Sequence, residues 1–188
     1  MKHLKYLIRE IISVIIGILI ALSVSNWREE QKDQQYLRQI NKSINLELEE
    51  SLEDIAASIP KQQTLIDSIG YYMNDESISI FEIITRSGGI QRPTIITSSW
   101  KAIANTKIEL IDFEQIATLT EIEESKDLIE LKSEKLVDYI FENLKSTDPE
   151  KKEIFFLFSK EMLSTTKYTF TEVETYLTKV REEEVQYK

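Results

Sequence analysis

Hydrophobic positions along this chain fall into two regimes. Between Ile11 and Val24, fourteen apolar or small residues follow one another with no charge among them. From Trp27 onward the apolar residues are spaced at helical intervals instead. Leu37, Ile40, Ile44, Leu48, Leu52, Ile55 and Ile59 step by three or four, which predicts one amphipathic helix over Trp27–Ile59. Pro60 is expected to stop it, with a shorter helix over Lys61–Met73 and another over Ser77–Arg86. Ser87-Gly88-Gly89 reads as a helix-ending turn, and Arg92-Pro93-Thr94 as an extended connection reaching Thr97.

The second half has clearer punctuation. A short helix over Ser98–Asn105 carries Trp100. Asp112 followed by Gln115 has the spacing of a capping box, opening a helix from Phe113 towards Leu144 with a polar stretch, Glu121–Asp127, that should fray or bend. Asp148-Pro149 places an N-cap and a first-turn proline at the start of the last helix. That helix offers Ile154, Leu157, Phe158, Met162, Phe170, Val173, Leu177 and Val180 to a core, and its charged end at Arg181–Glu184 should fray. No strand pair is visible. The expected fold is all-α: an N-terminal transmembrane helix continuous with a long helix of an up-and-down helical bundle, the pieces between Lys61 and Asn105 supplying one down-leg.

The apolar run admits three readings. A buried core helix has nothing upstream to cover it. A cleaved signal peptide fits the basic start, the run length and the small residues Ser23 and Ser25. A membrane anchor needs more length, because fourteen residues rise only about 21 Å against roughly 30 Å of hydrocarbon. It becomes long enough if it starts at Tyr6 and ends at Trp27, with both aromatic rings at the interfaces. No breaker follows Val24, which suits an anchor better than a peptidase site. Residues 1–9 are then a cytoplasmic basic tail, 10–27 a transmembrane signal-anchor, and 28–188 an extracytoplasmic helical bundle in a bacterial inner membrane.

Charge agrees with that division. Lys2, Lys5 and Arg9 oppose Glu10 at the start, leaving 20 basic and 32 acidic side chains beyond Trp27. So acidic a domain repels nucleic acid. There is no cysteine, and His3 is the only histidine. Thiolate chemistry, histidine acid–base catalysis and Glu-x-x-His di-iron sites are thereby excluded. Glu47, Glu49, Glu50, Glu53 and Asp54 read as a solvated acidic face. No cofactor or metal is expected, and no enzymatic activity.

Three features remain as candidate contact surfaces. Ser13, Gly17, Ala21 and Ser25 recur every four residues, a ridge of small side chains that lets two membrane helices approach closely, and Glu10 flanks it. Trp100 is either a core plug or an exposed anchor for a partner. The run Ile154-Phe155-Phe156-Leu157-Phe158 covers every side of a helix, so Phe155 and Phe156 either lie beneath the short middle helices or form a partner surface.

Arg9-Glu10-Ile11-Ile12, Val14 to Leu22 (with Gly-Ile-Leu-Ile-Ala-Leu) and Ser25-Asn26-Trp27-Arg28-Glu29-Glu30 resemble the N-terminal signature of a family of short, single-pass bacterial membrane proteins of unknown function. The segment Thr97–Asp112 is loosely similar to a mid-domain pattern of that family, while Ser23-Val24-Ser25 departs from it. The resemblance implies an uncleaved anchor and an extracytoplasmic helical domain. The expected role is protein–protein association, as a homo-oligomer or with another membrane protein, in a lipid bilayer. The alternative is an extracytoplasmic ligand-sensing bundle that signals through a partner.

Overall fold

The computed structural model describes residues 2–186, with side chains for 10–182 and 185. Five α-helices follow in order: α1 (Lys2–Tyr71), α2 (Ile80–Arg86), α3 (Ser98–Ala104), α4 (Phe113–Asn143) and α5 (Pro149–Gln186), with a 3-10 turn at Ile108–Leu110 before α4. No strand occurs among the described residues. The fold is all-α, with one long N-terminal helix running on into a helical bundle. Contacts divide the chain into two units, one up to Lys42 and one from Ser43. The first consists of the N-terminal part of α1; the second is the bundle.

Three helices of the bundle carry the same repeat. In α1 the buried seam is Ile44, Leu48, Ser51, Ile55, Ser58, Gln62, Leu65 and Ile69, with Ile66 buried beside it. In α5 they include Lys152, Phe155, Ser159, Met162, Thr166, Thr169, Val173 and Tyr176. Both runs alternate steps of four and three, the seven-residue spacing that keeps one seam of a helix against its neighbours. The core of α4 (Leu119, Ile122, Ser125, Ile129, Ser133, Leu136, Ile140) also steps by three or four, without the strict alternation. Cross-helix bonds give the directions. Glu49 pairs with Arg181, and Lys152 reaches Tyr72, so α5 runs antiparallel to α1. Gln115 binds Tyr176 and Tyr139 binds the Lys151 carbonyl, so α5 also runs antiparallel to α4.

The missing down-leg is an extended strap, residues 90–97, laid along α1. Its polar backbone would be stranded there without partners. Side chains of α1 supply them in descending order: Gln62 Nε2 donates to the Gln91 carbonyl, Asp54 accepts from the Thr94 N–H, and Ser51 Oγ accepts from the Ile96 N–H. The strap begins after Gly88 and Gly89, both at positive φ (89° and 97°), where the Gly89 N–H closes α2 on the Ile84 carbonyl. Thus the expected glycine turn and extended connection both stand.

Helix ends meet reciprocally at one end of the bundle. The N–H groups of Ile80 and Phe81 opening α2 have no partner within that helix, and they donate to the carbonyls of Ser146 and Leu144 just past α4 (3.0 and 2.9 Å). Ser79 and Glu82 complete a capping box. The Asp112 carboxylate accepts from the Gln115 N–H, the N-cap half of the expected capping box, while the Gln115 amide donates to Tyr176 instead; Asp148 accepts from the Glu150 N–H behind Pro149, as its position predicts. Beneath these caps Leu65, Ile69, Ile80, Ile83, Leu136, Ile140 and Phe155 form one apolar cluster. Lys152 is fully buried beside it. Its ammonium donates to the Tyr72 and Asp75 carbonyls at 3.1 and 2.7 Å, just past the end of α1, where the helix dipole favours a cation.

Four expectations need correction. Pro60 does not stop α1, which continues to Tyr71. Pro60 and Ala56 both face solvent, so water replaces the one hydrogen bond the ring removes, while Leu65 and Ile69 keep the core repeat in phase. The polar stretch of α4 neither frays nor bends into a break, because Ile122 and Ser125 are buried within it. In α5, Ile154, Leu157 and Phe158 face outward; the seam passes through Lys152, Phe155 and Ser159 instead. The charged end of α5 stays helical to Gln186.

Replacing Lys152 with Met removes two charge-assisted hydrogen bonds, while the carbonyls keep the Asp75 and Ile78 N–H groups, and should cost about 3 kcal/mol. In thermal unfolding followed by circular dichroism, this is a drop of roughly 6–12 °C. Pro60→Ala should act in the opposite direction. It restores an interior helical hydrogen bond and should raise stability by about 1–3 kcal/mol; a lowered midpoint would contradict an unbroken α1.

Candidate functional site

Within α1, residues 10–27 form a surface rather than a core. Among the described residues, one helix is long and apolar enough to cross a membrane, with mean hydropathy 1.9 over an eighteen-residue window, none of it buried. Every large apolar residue from Ile11 to Val24 is exposed, as is Trp27 at 60 %. This much apolar surface is far beyond what a water-facing helix carries, and a lipid phase or a partner helix would cover it.

The small-residue ridge lies on one side of that surface. Glu10, Ser13, Gly17, Ala21 and Ser25 are all exposed. A Cβ added at Gly17 would meet nothing within 4 Å. Glycine inside a helix costs about 1 kcal/mol relative to alanine, and no packing within the chain requires it here. Ser23, off the ridge, turns its hydroxyl back to the Leu19 carbonyl at 2.8 Å, which hides its polarity from an apolar medium. Trp27 stands at the polar end of the run. Tyr6, its expected counterpart, lies outside the described side chains.

The other two candidate surfaces are placed differently. Trp100 is buried, and its indole N–H donates to Glu123 of α4 at 2.9 Å, with Lys101 paired to the same carboxylate at 3.0 Å. It is a core plug, so it offers no exposed anchor. Phe155 is fully buried in the cluster with Ile80 and Ile83 of α2, as the reading of burial under the middle helices expects, and so is not a partner surface. Phe156 is half-buried. Its ring edge lies 3.8 Å from where a Cβ on Gly70 would sit, and Lys160 lies over its face at 5.4 Å.

Sequence reasoning missed what the acidic face of α1 does. Besides the Asp54–Thr94 bond, both Glu47 oxygens accept from the Ser99 N–H (3.2 and 2.9 Å), and one takes the Ser99 hydroxyl at 2.7 Å. Glu47 thus closes the first turn of α3, and Glu49 pairs with Arg181. The signal lay in spacing: Glu47, Ser51 and Asp54 occur at intervals of four and three, a polar stripe beside the apolar one.

The remaining sites are modest. No group of three or more His, Asp or Glu side chains suited to a metal occurs among the described residues. An open cleft of about 290 Å³ between α1 and α5 is lined by Gln63, Ile66, Lys160, Leu163, Ser164 and Lys167. On the α4–α5 face the Tyr168 hydroxyl donates to Glu121, which pushes the phenol up to about 12; burial and the nearby Glu172 carboxylate add to the shift. Burial and Glu121 also raise the Glu172 carboxyl.

No protein-family model, curated protein or solved structure matches this chain.

The neutral phenol is the form that Glu121 holds. Its contribution to stability is therefore present below the ordinary tyrosine range and is lost as pH rises through about 12. In an absorbance titration of the eight tyrosines, one should ionise near 12 and disappear from the difference spectrum in Tyr168→Phe. Glu121→Gln should bring it back towards the usual value.

Proposed function

We propose that residues 10–27 hold this chain in a bacterial inner membrane, with the N-terminus cytoplasmic and the acidic domain outside, and that it serves protein–protein association rather than catalysis. The observation that carries this reading is the wholly exposed apolar surface of Ile11–Val24 with Gly17 opening onto empty space. Helices in lipid gain little from burying apolar area against each other, so they associate where small side chains let backbones come close. The ridge Ser13, Gly17, Ala21 and Ser25 provides that approach for a second copy or for the helix of another membrane protein. Glu10 sits at the headgroup level, where water keeps its charge tolerable.

The orientation follows from what must cross. A short cationic tail stays in the cytoplasm, and the long acidic domain follows the anchor outward. The N-terminal resemblance to single-pass membrane proteins supports the same placement. A second reading, ligand sensing through a partner, is favoured by the cleft between α1 and α5, where Lys160 and Lys167 would suit an anionic ligand.

Gly17→Leu combined with Ala21→Leu should weaken association in detergent at least about tenfold while leaving the helical content unchanged. Sedimentation equilibrium reads this directly. A wild-type chain that is strictly monomeric, or a variant that associates as well as the parent, would refute the ridge. Intact mass of the chain isolated from membranes should show residues 1–27 retained.

A further inference from the structure

We propose that the cleft between α1 and α5 binds a linear dicarboxylate, with its apolar middle on Ile66 and Leu163 and its two ends on Lys160 and Lys167. The proposal rests on the ligand-sensing reading of that cleft and gives it a ligand class. At about 290 Å³ the cleft lies near the lower end of the range for small-molecule sites. Its lining is ordered. Ile66 and Leu163 are buried and form an apolar floor. Lys160 precedes Leu163 by three residues and Lys167 follows it by four, so the floor has a cation on either side along one face of α5. Ser164 lies on that face between them, and Gln63 adds an amide from α1.

Neither cation is neutralised, and the flanking positions show why. No carboxylate stands three or four residues from either lysine on α5: those places hold Phe156, Leu157, Leu163, Ser164, Phe170 and Thr171. Residues 60–70 of α1 and 156–171 of α5, which flank the cleft, contain three lysines (Lys61, Lys160, Lys167) and two carboxylates. Both carboxylates are engaged elsewhere. Asp67 accepts from Gln63 Nε2 at 2.8 Å, and Glu161 pairs with Lys132 of α4 at 3.1 Å. Among the described residues neither lysine of the cleft forms an ion pair. Lys160 rests over the Phe156 ring at 5.4 Å, a contact that steadies its ammonium and leaves the charge in place. In an otherwise acidic domain this cleft is therefore locally cationic.

Spacing selects the shape of the ligand. Seven residues of helix separate the two lysines by about 10 Å. A compact anion such as phosphate would have to draw both ammonium groups together over Leu163, where an apolar surface replaces their water. A methylene chain with a carboxylate at each end sets charge on charge and apolar on apolar. About eight carbons match the rise between the lysines.

The test is equilibrium dialysis of radiolabelled suberate against the full chain in nanodiscs of zwitterionic lipid, with empty nanodiscs subtracted. Unlabelled suberate should compete at least about threefold better than its monomethyl ester, succinate or inorganic phosphate, since each of these forfeits one ion pair or the apolar floor. Lys160→Ala/Lys167→Ala should weaken suberate binding about tenfold, and Lys160→Arg/Lys167→Arg should retain it. Lys135→Ala/Lys145→Ala, the same change of charge on and just past α4, should bind as the parent does. Circular dichroism checks that each variant keeps its helical content. Parent-like binding in Lys160→Ala/Lys167→Ala, or an equal loss in Lys135→Ala/Lys145→Ala, overturns the site. Equal competition by succinate, the monoester or phosphate overturns the two-ended ligand and leaves ligand sensing in the cleft standing. Binding of none of the four overturns both.

Discussion

The bundle depends on one buried charge. Taking an ammonium out of water costs several kcal/mol unless polar partners replace the solvent, and Lys152 finds them only in the carbonyls of Tyr72 and Asp75. Those carbonyls belong to the turn that follows α1. The start of α5 is therefore tied to the turn after α1: each carbonyl already accepts a backbone N–H (from Asp75 and Ile78), and the ammonium takes the second acceptor position of both. The nearby Asp75 carboxyl is held below its ordinary range, chiefly by hydrogen bonds from Ser77 and secondarily by Lys152 and Arg86. The α2 N–H groups on the carbonyls of Leu144 and Ser146 repeat the same solution at the next helix junction. One end of the bundle is thus closed where the Lys152 side chain meets the turn after α1 and the first N–H groups of α2 meet the carbonyls after α4.

The same economy of polar groups explains the long side of the bundle. Helices α1, α4 and α5 present heptad seams, but three seams leave a groove that an unpaired strap fills. Ser51, Asp54 and Gln62 accept or donate along it as a neighbouring strand would, and Glu47 extends the series to the cap of α3. Trp100 is buried because its helix is capped from α1 and its indole is bonded from α4. Acidic side chains that look like a solvated face, Glu47 and Asp54 among them, are in this way structural.

Two misreadings share a cause. Pro60 looks like a helix terminator because the local cost of proline is real, about 3 kcal/mol in a helix interior. The structure sets against it the burial of Leu65 and Ile69 on the same seam, with Ile66 beside them, and the exposed position of Pro60 lets water satisfy the freed carbonyl. The run from Ile154 to Phe158 is apolar all round, so no periodicity distinguishes its inner side. The choice fell to Lys152, three residues before Phe155, which must point inward to reach its carbonyls. A lysine is the last residue that sequence reasoning would place in a core.

Residue patterns alone determined the helical class, the apolar segment of α1, the turn at Gly88-Gly89 and the caps at Asp112 and Asp148. Each of these depends on interactions within a few residues, where composition and spacing are the physics. The small-residue ridge was legible for the same reason, since four positions on one helix face are a matter of local geometry. Tertiary structure decided which side of α5 is buried, that α1 passes Pro60, that Asp54 holds the strap and that Glu47 caps α3. Those outcomes depend on partners 40 to 80 residues away. A buried cation or an unpaired backbone takes whatever acceptor the fold brings to it, and that proximity is written in no local stretch of the chain.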